Sequence, residues 1–252
     1  MFRTLLLKEL REWRRTFRLV IIVLVLLVSG MISPLLAKYT PQLLRILPGV
    51  PAELTAMIPE PTIVDSFTQY IKNISQFGLI VVIVLTMGVM SQEIERGTMA
   101  MLLTKPVERS AVVLAKWCAG VLSILLGLIL AAIGFSFYTL VLFGRFELID
   151  FILLNGLIAV FLVFYLTLAL LASTLARSQS MAAAVAFGGL ILVMIIDALP
   201  SIGDYFPSQL LSWGSALFNG LSQTAWPALI TSLVIIALFL AGAILRFQRE
   251  EV

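Results

Sequence analysis

The chain has 252 residues, of which 61% are hydrophobic and only 12% charged, against about 45–50% and about 25% in an ordinary soluble domain. Its 17 basic and 14 acidic side chains leave a formal charge of +3. They supply too little polar surface for a water-soluble fold of this length, so most of the chain is solvated by a bilayer.

Histidine is absent and Cys118 is the single cysteine. That excludes a Ser-His triad, the commonest metal ligand, and any disulfide framework or thiolate metal cluster. Residues 1–18 carry Arg3, Lys8, Arg11, Arg14, Arg15 and Arg18, while Phe2, Leu6, Leu10, Trp13 and Phe17 recur at helical spacing. The pattern predicts an amphipathic helix lying at the membrane surface, with Trp13 and Phe17 toward the bilayer boundary and Arg14 and Arg15 toward the phosphates. With no small-x-small cleavage site after it, it is expected to be retained.

Six apolar runs follow, at 19–37, 74–90 (its helix starting near Phe67), 114–143, 151–175, 181–199 and 225–245, since about 20 helical residues cross a hydrocarbon core about 30 Å thick. Between the first two, Pro41, Pro48, Pro51, Pro59 and Pro61 predict an irregular segment, and residues 64–75 a helix entering the second span. Residues 200–224, apolar but interrupted by Pro207, Gly214 and Gly220, suit short re-entrant or interfacial helices before the sixth span, with Trp213 and Trp226 at the interface.

With both ends on the inner side, the inner segments hold 13 of the 17 basic residues and the outer ones only Lys38, Arg45, Lys72 and Arg145. Positive charge marks the cytoplasmic face, so both termini are expected there. The fold class is therefore an all-α integral membrane protein, one transmembrane domain over residues 1–252, multi-pass in the cell membrane.

The inner loop after the second span reads SQEIERGTMAMLLTKPVERSAVVLAK over residues 91–116. Glu93, Glu95 and Arg96 precede Gly97, which permits a bend. Thr98 can cap a short helix whose Met99, Leu102 and Leu103 share a face, and Lys105-Pro106 ends it. Such an apolar face needs a membrane or a partner, and flexible methionines suit a surface that adjusts as the partner moves.

These residues resemble the permease subunits of type 2 ATP-binding-cassette exporters, the ABC-2 family. Their acidic Gly-Thr segment, Leu-Leu pair, Pro and Arg correspond here to Glu93, Glu95, Arg96, Gly97, Thr98, Leu102, Leu103, Thr104, Pro106, Arg109 and Lys116. The resemblance extends over essentially the whole chain. It implies a translocation pathway formed with a second permease subunit, identical or related, and driven by two separate cytoplasmic ATPase subunits. ATP and Mg would be bound by those partners; this chain would be a non-catalytic membrane subunit without a cofactor of its own, touching lipid but no nucleic acid. The resemblance makes residues 91–110 the coupling loop, with Met99 in its helix, and makes Arg177, Ser178 and Gln179 a second cytoplasmic contact.

No G-x-x-x-x-G-K-[ST] phosphate loop occurs in the chain. An intramembrane enzyme and an ion-coupled transporter stay open as alternatives, although paired ionisable residues at membrane depth and internal repeats, their usual marks, are not evident. Asn155, Thr167, Ser173, Asp197 and Thr231 are polar residues within or at the ends of spans. Met87, Met90 and Met194 are expected to be core packing rather than soft-metal ligands. Small pairs Ala172/Ala176 and Ala184/Gly188 would permit close helix approach. The transported substrate is not encoded in any of these patterns.

Overall fold

A computed structural model describes residues 2–46, 60–98, 108–221 and 223–249. Among them the regular structure is helical throughout: α1 (Phe2–Arg15), α2 (Arg18–Ile46), α3 (Ile63–Thr86), α4 (Ser91–Glu95), α5 (Arg109–Leu142), α6 (Leu148–Leu175), α7 (Gln179–Asp197), a 3-10 turn (Gly203–Tyr205), α8 (Ser208–Phe218) and α9 (Trp226–Gln248). Six of them, α2, α3, α5, α6, α7 and α9, are long and apolar enough to cross a membrane. Helices dominate because hydrocarbon offers no partner for a backbone N–H or C=O, so each span must satisfy its own.

The interior is organised around α6, which packs against α3, α5, α7, α8 and α9, while α2 lies along α3 and α5. Phe67, Tyr70, Phe135 and Phe151 pack at the heart of the half away from the termini, with Phe67 stacked on Phe218 of α8 at 3.6 Å between centroids. Asn155, a polar residue at span depth, accepts from Tyr70 Oη at 2.7 Å and donates to the Phe151 carbonyl. Thr167 accepts from Trp117 Nε1 at 2.9 Å. Both are satisfied within the protein, as buried polar groups must be.

Several expected boundaries moved. Pro41 lies inside α2, which continues to Ile46, because two prolines in a long packed helix cost only their local hydrogen bonds when neighbouring helices hold the rest. Residues 48–59, with the remaining prolines except Pro61, fall outside the described residues. The predicted entry helix is present from Ile63, with Asp65 accepting from the Thr62 backbone N–H and hydroxyl at 2.7 and 2.8 Å. Before the last span there is one 3-10 turn and one helix, rather than two helices. Ser208 donates to Asp197 at 2.6 Å. Thr231 donates to the Tyr205 carbonyl, tying the turn to α9. Trp213 is buried, against Leu157, Leu210 and Ala228, so of the two interfacial tryptophans only Trp226 is exposed.

Of the two small pairs, Ala172 and Ala176 are buried, whereas the other is not. Ala184 and Gly188 face outward, and nothing lies near a Cβ built on Gly188. The tight seam joins α2 to α5, where a Cβ on Gly30 would stand 2.6 Å from the Ala131 carbonyl oxygen and one on Gly134 2.6 Å from Met31. Gly30 meets backbone, which cannot rotate aside. Gly30→Ala is therefore expected to destabilise the α2/α5 pair by about 1–3 kcal/mol. Gly188→Ala should be neutral or slightly stabilising. Thermal unfolding of the purified variants in detergent compares the two.

Candidate functional site

Both described chain ends lie at the end of the bundle where α5 begins. Arg109, first residue of α5, donates to the carbonyls of Phe247 and Gln248 at 3.1 and 3.4 Å, and its guanidinium lies 5.8 Å from the Phe247 ring centre. The opposite end is closed by Lys38, which donates to the Leu142 carbonyl at 2.8 Å and lies over Phe143.

At the termini end α1 packs on α5 and α2, and the side it buries is not the one its apolar pattern marks. Leu5, Glu9 and Trp13, four residues apart, form the buried stripe, whereas Phe2 and Phe17 are exposed. Trp13, expected to face the bilayer boundary, is only 1% exposed. Gly120 makes its place, since a Cβ there would lie 3.2 Å from the indole and 2.5 Å from Leu166. Trp13 Nε1 has no hydrogen-bond partner among the described residues, so packing alone holds the ring in. Phe17, expected on the same side, sits instead in the turn between α1 and α2 with φ +59 and a 65% exposed side chain. A left-handed residue closes α1 there, a position that usually takes glycine. Arg14 and Arg15 are exposed, as expected of them.

Glu9 is buried because it has a partner. The Lys116 ammonium, wholly buried, stands 3.1 Å from Glu9 Oε2 and 2.7 Å from Glu93 Oε1. Lys8 reaches Glu9 at 2.9 Å, Glu12 at 3.2 Å and Glu93 at 3.6 Å. Arg18 donates to Gln92 Oε1 at 2.6 Å. One network thus joins α1, the start of α2, α4 and α5. The carboxylates of Glu9, Glu12 and Glu93 converge as metal ligands do, but the Lys8 and Lys116 ammonium groups already supply the positive charge.

The network also explains two titrations. Burial alone would lower the Lys8 pKa, but the neighbouring Glu9, Glu93 and Glu12 outweigh it and raise it above its ordinary 10.5. Burial would raise the Glu12 pKa, yet Lys116, Lys8 and Arg18 hold it below 4.5.

Helix α4 follows a turn over residues 87–90, where the helical hydrogen bonding of the second span is interrupted. Two freed backbone N–H groups, of Met90 and Ser91, donate to Ser173 Oγ on α6 at 2.9 and 3.1 Å. Ser173 is thus a structural anchor for this break. Beyond α4, Glu95 Oε2 accepts the Gln179 backbone N–H at 3.1 Å, and the Ser178 hydroxyl caps α7 by accepting from Met181 N at 3.3 Å.

The structure therefore joins Glu95 to Gln179 beside Ser178, ties Glu93 to Lys116 and ties Arg109 to the end of α9. It leaves Arg96, Thr98 and Arg177 exposed and places Gly97 in the left-handed region at φ +67. Met99, Leu102, Leu103, Thr104 and Pro106 lie outside the described residues. Sequence reasoning overlooked Glu9 and the Lys116 bridge. The available signal was an acid four residues from both Leu5 and Trp13 in an otherwise basic helix.

The whole chain can now be compared with known proteins. Residues 3–252 match the ABC-2 family transporter protein model. The chain belongs to the ABC-2 transporter family. It is also 24% identical to an uncharacterized transmembrane protein, YxlG of Bacillus subtilis (strain 168), over 98% of this chain and 97% of that protein. It is thus a multi-pass membrane component of an ABC-2 transporter, a family of non-catalytic permeases.

Removing one partner of a buried ion pair strands the other and costs about 3–5 kcal/mol. Lys116→Met is expected to release α1, seen as fast labelling of a cysteine placed at Leu5, and a Lys116→Met/Glu9→Gln/Glu93→Gln combination should recover much of the protection. The same label reads pH. Glu12, with a lowered pKa, contributes stability that is present above 4.5 and lost as pH falls through its folded value; Lys8, with a raised pKa, contributes below 10.5 and loses it as pH rises beyond. Protection of Leu5→Cys should hold between those limits and fall off on the acid side below 4.5.

Proposed function

We propose that this chain is the permease subunit of an ATP-driven exporter, pairing with a second permease subunit to form the pathway and coupled to two separate ATPase subunits through residues 91–110. ATP and Mg belong to those partners. The termini end of the bundle faces the cytoplasm, as the distribution of basic residues favours. The observation that carries the reading is the buried bridge from Glu93 through Lys116 to Glu9. A force on the loop following α4 cannot stay local, because Glu93 is tied to α5 and α1 and Glu95 to the start of α7. Such ties would turn closure of a partner's cleft into movement of three spans at once.

In this reading Met99, Leu102 and Leu103 supply the apolar face that seats in the ATPase, and Arg177, Ser178 and Gln179 a second contact held to the first by Glu95. Residues Arg14, Arg15 and Phe17 meet the membrane surface at the end of α1.

Leu102→Asp or Leu103→Asp would bury an unpaired charge in the seat, at a cost of several kcal/mol. These variants should insert normally yet lose co-purification with the ATPase or lose transport-linked hydrolysis. Normal transport with the ATPase attached would reduce the loop to a span connector. Orientation has its own readout in a Cys118→Ser background. Cysteines at Glu60 and Ser208 should react with an impermeant thiol reagent applied outside intact cells, and cysteines at Thr104 and Gln248 should not.

A further inference from the structure

The half of the molecule farthest from the ion network carries a groove of about 550 Å³ between α5 and α6. Its floor is Leu128 and Phe151, both buried, and its rims are Ile129, Ile133 and Ile152, each more than half exposed. It runs from Ser136 and Leu148, the latter opening α6 just past the loop that joins the two helices, to Leu125 and Ala159 deeper in the bundle. We infer that this groove is a binding site for one acyl chain of a membrane phospholipid, entering from the leaflet on the loop side.

Three observations select that occupant. The first is chemistry: the lining offers no ionisable side chain, and Asn155 is already bonded to Tyr70 and Phe151. Water would therefore find too few partners to stay, and an empty groove would forfeit the dispersion contacts of its walls. Hydrocarbon is what remains at that depth.

The second is length. Eleven residue steps along each helix, from Leu125 to Ser136 and from Leu148 to Ala159, give about 16 Å at 1.5 Å per residue. Half of a hydrocarbon core about 30 Å thick is about 15 Å. The groove is as long as one leaflet is deep, which suits a single chain better than a whole transmembrane helix.

The third is the mouth. The connecting loop holds Arg145, exposed and without an ion pair or hydrogen bond among the described residues, with Glu147 and Asp150 close by in sequence. A phosphate at this level would meet the guanidinium, and the two carboxylates favour a headgroup that also bears an ammonium. Gly156 faces open space, since nothing lies within 4 Å of a Cβ built on it.

The test uses the full purified chain in phosphatidylethanolamine-containing vesicles, with a phosphatidylethanolamine probe bearing a photoactivatable group in its acyl chain. Crosslinked residues are mapped by mass spectrometry for the wild type, for Gly156→Leu, which fills the groove, and for Gly188→Leu. The last is a matched control, because Gly188 is equally open but lies on α7. Labelling should concentrate on residues 125–136 and 148–159, fall in Gly156→Leu to the level found on the exposed face of α7, and be unchanged in Gly188→Leu. Labelling spread evenly over all exposed span faces, or unaltered by Gly156→Leu, would overturn the site. So would a groove shielded from the probe whose Ile133→Cys variant crosslinks to another copy, because a second chain would then be the occupant. None of these readouts involves the ATPase, so the result stands apart from the coupling reading.

Discussion

A buried ammonium cannot stand alone in a medium that does not solvate it. Lys116 is wholly enclosed, and the carboxylates that touch it among the described residues come from two other parts of the chain, Glu9 from α1 and Glu93 from α4. The desolvation of three charges is so costly that the pair geometry must be kept or the local structure given up. From this requirement follow the inward turn of the Glu9 face of α1, the enclosure of Trp13 beside Gly120, and the docking of α4 against the start of α5. Net stability is not what such a bridge contributes, since an apolar replacement of the same shape can do as well. Its effect is to tie α1, α4 and α5 at one point.

The second span shows how a rigid connection coexists with a place to bend. Its helix stops at Thr86, makes a turn and resumes at Ser91. The interruption would be intolerable against lipid, but Ser173 of α6 takes both freed N–H groups. Helix α4 is thereby aimed by one hydroxyl and fixed by one ammonium. At the other end of the bundle the main constraints are apolar, a stacked aromatic cluster and the Gly30 seam, with the Lys38 cap on α5 as a charged addition. The two ends thus differ in emphasis, with an ion network holding the segments near the termini and mainly shape holding those away from them.

Composition and periodicity determined the membrane class, the six spans, the helix entering at Ile63 and the family resemblance of the 91–116 loop, because length of apolar run and placement of Lys and Arg are local properties that a bilayer reads directly. Some details misled for equally physical reasons. Proline at position 41 signalled an irregular segment, yet packing carried the helix through it, and a helical wheel of α1 assigned Trp13 to lipid because aromatic side chains suit an interface and a core alike. What only the tertiary structure decided is which polar groups meet. Glu9 and Lys116 are separated by 107 residues, and Ser173 by 83 from the N–H it accepts. In a linear chain each reads as an isolated charge or hydroxyl, and only folding supplies the partner whose presence makes its burial possible.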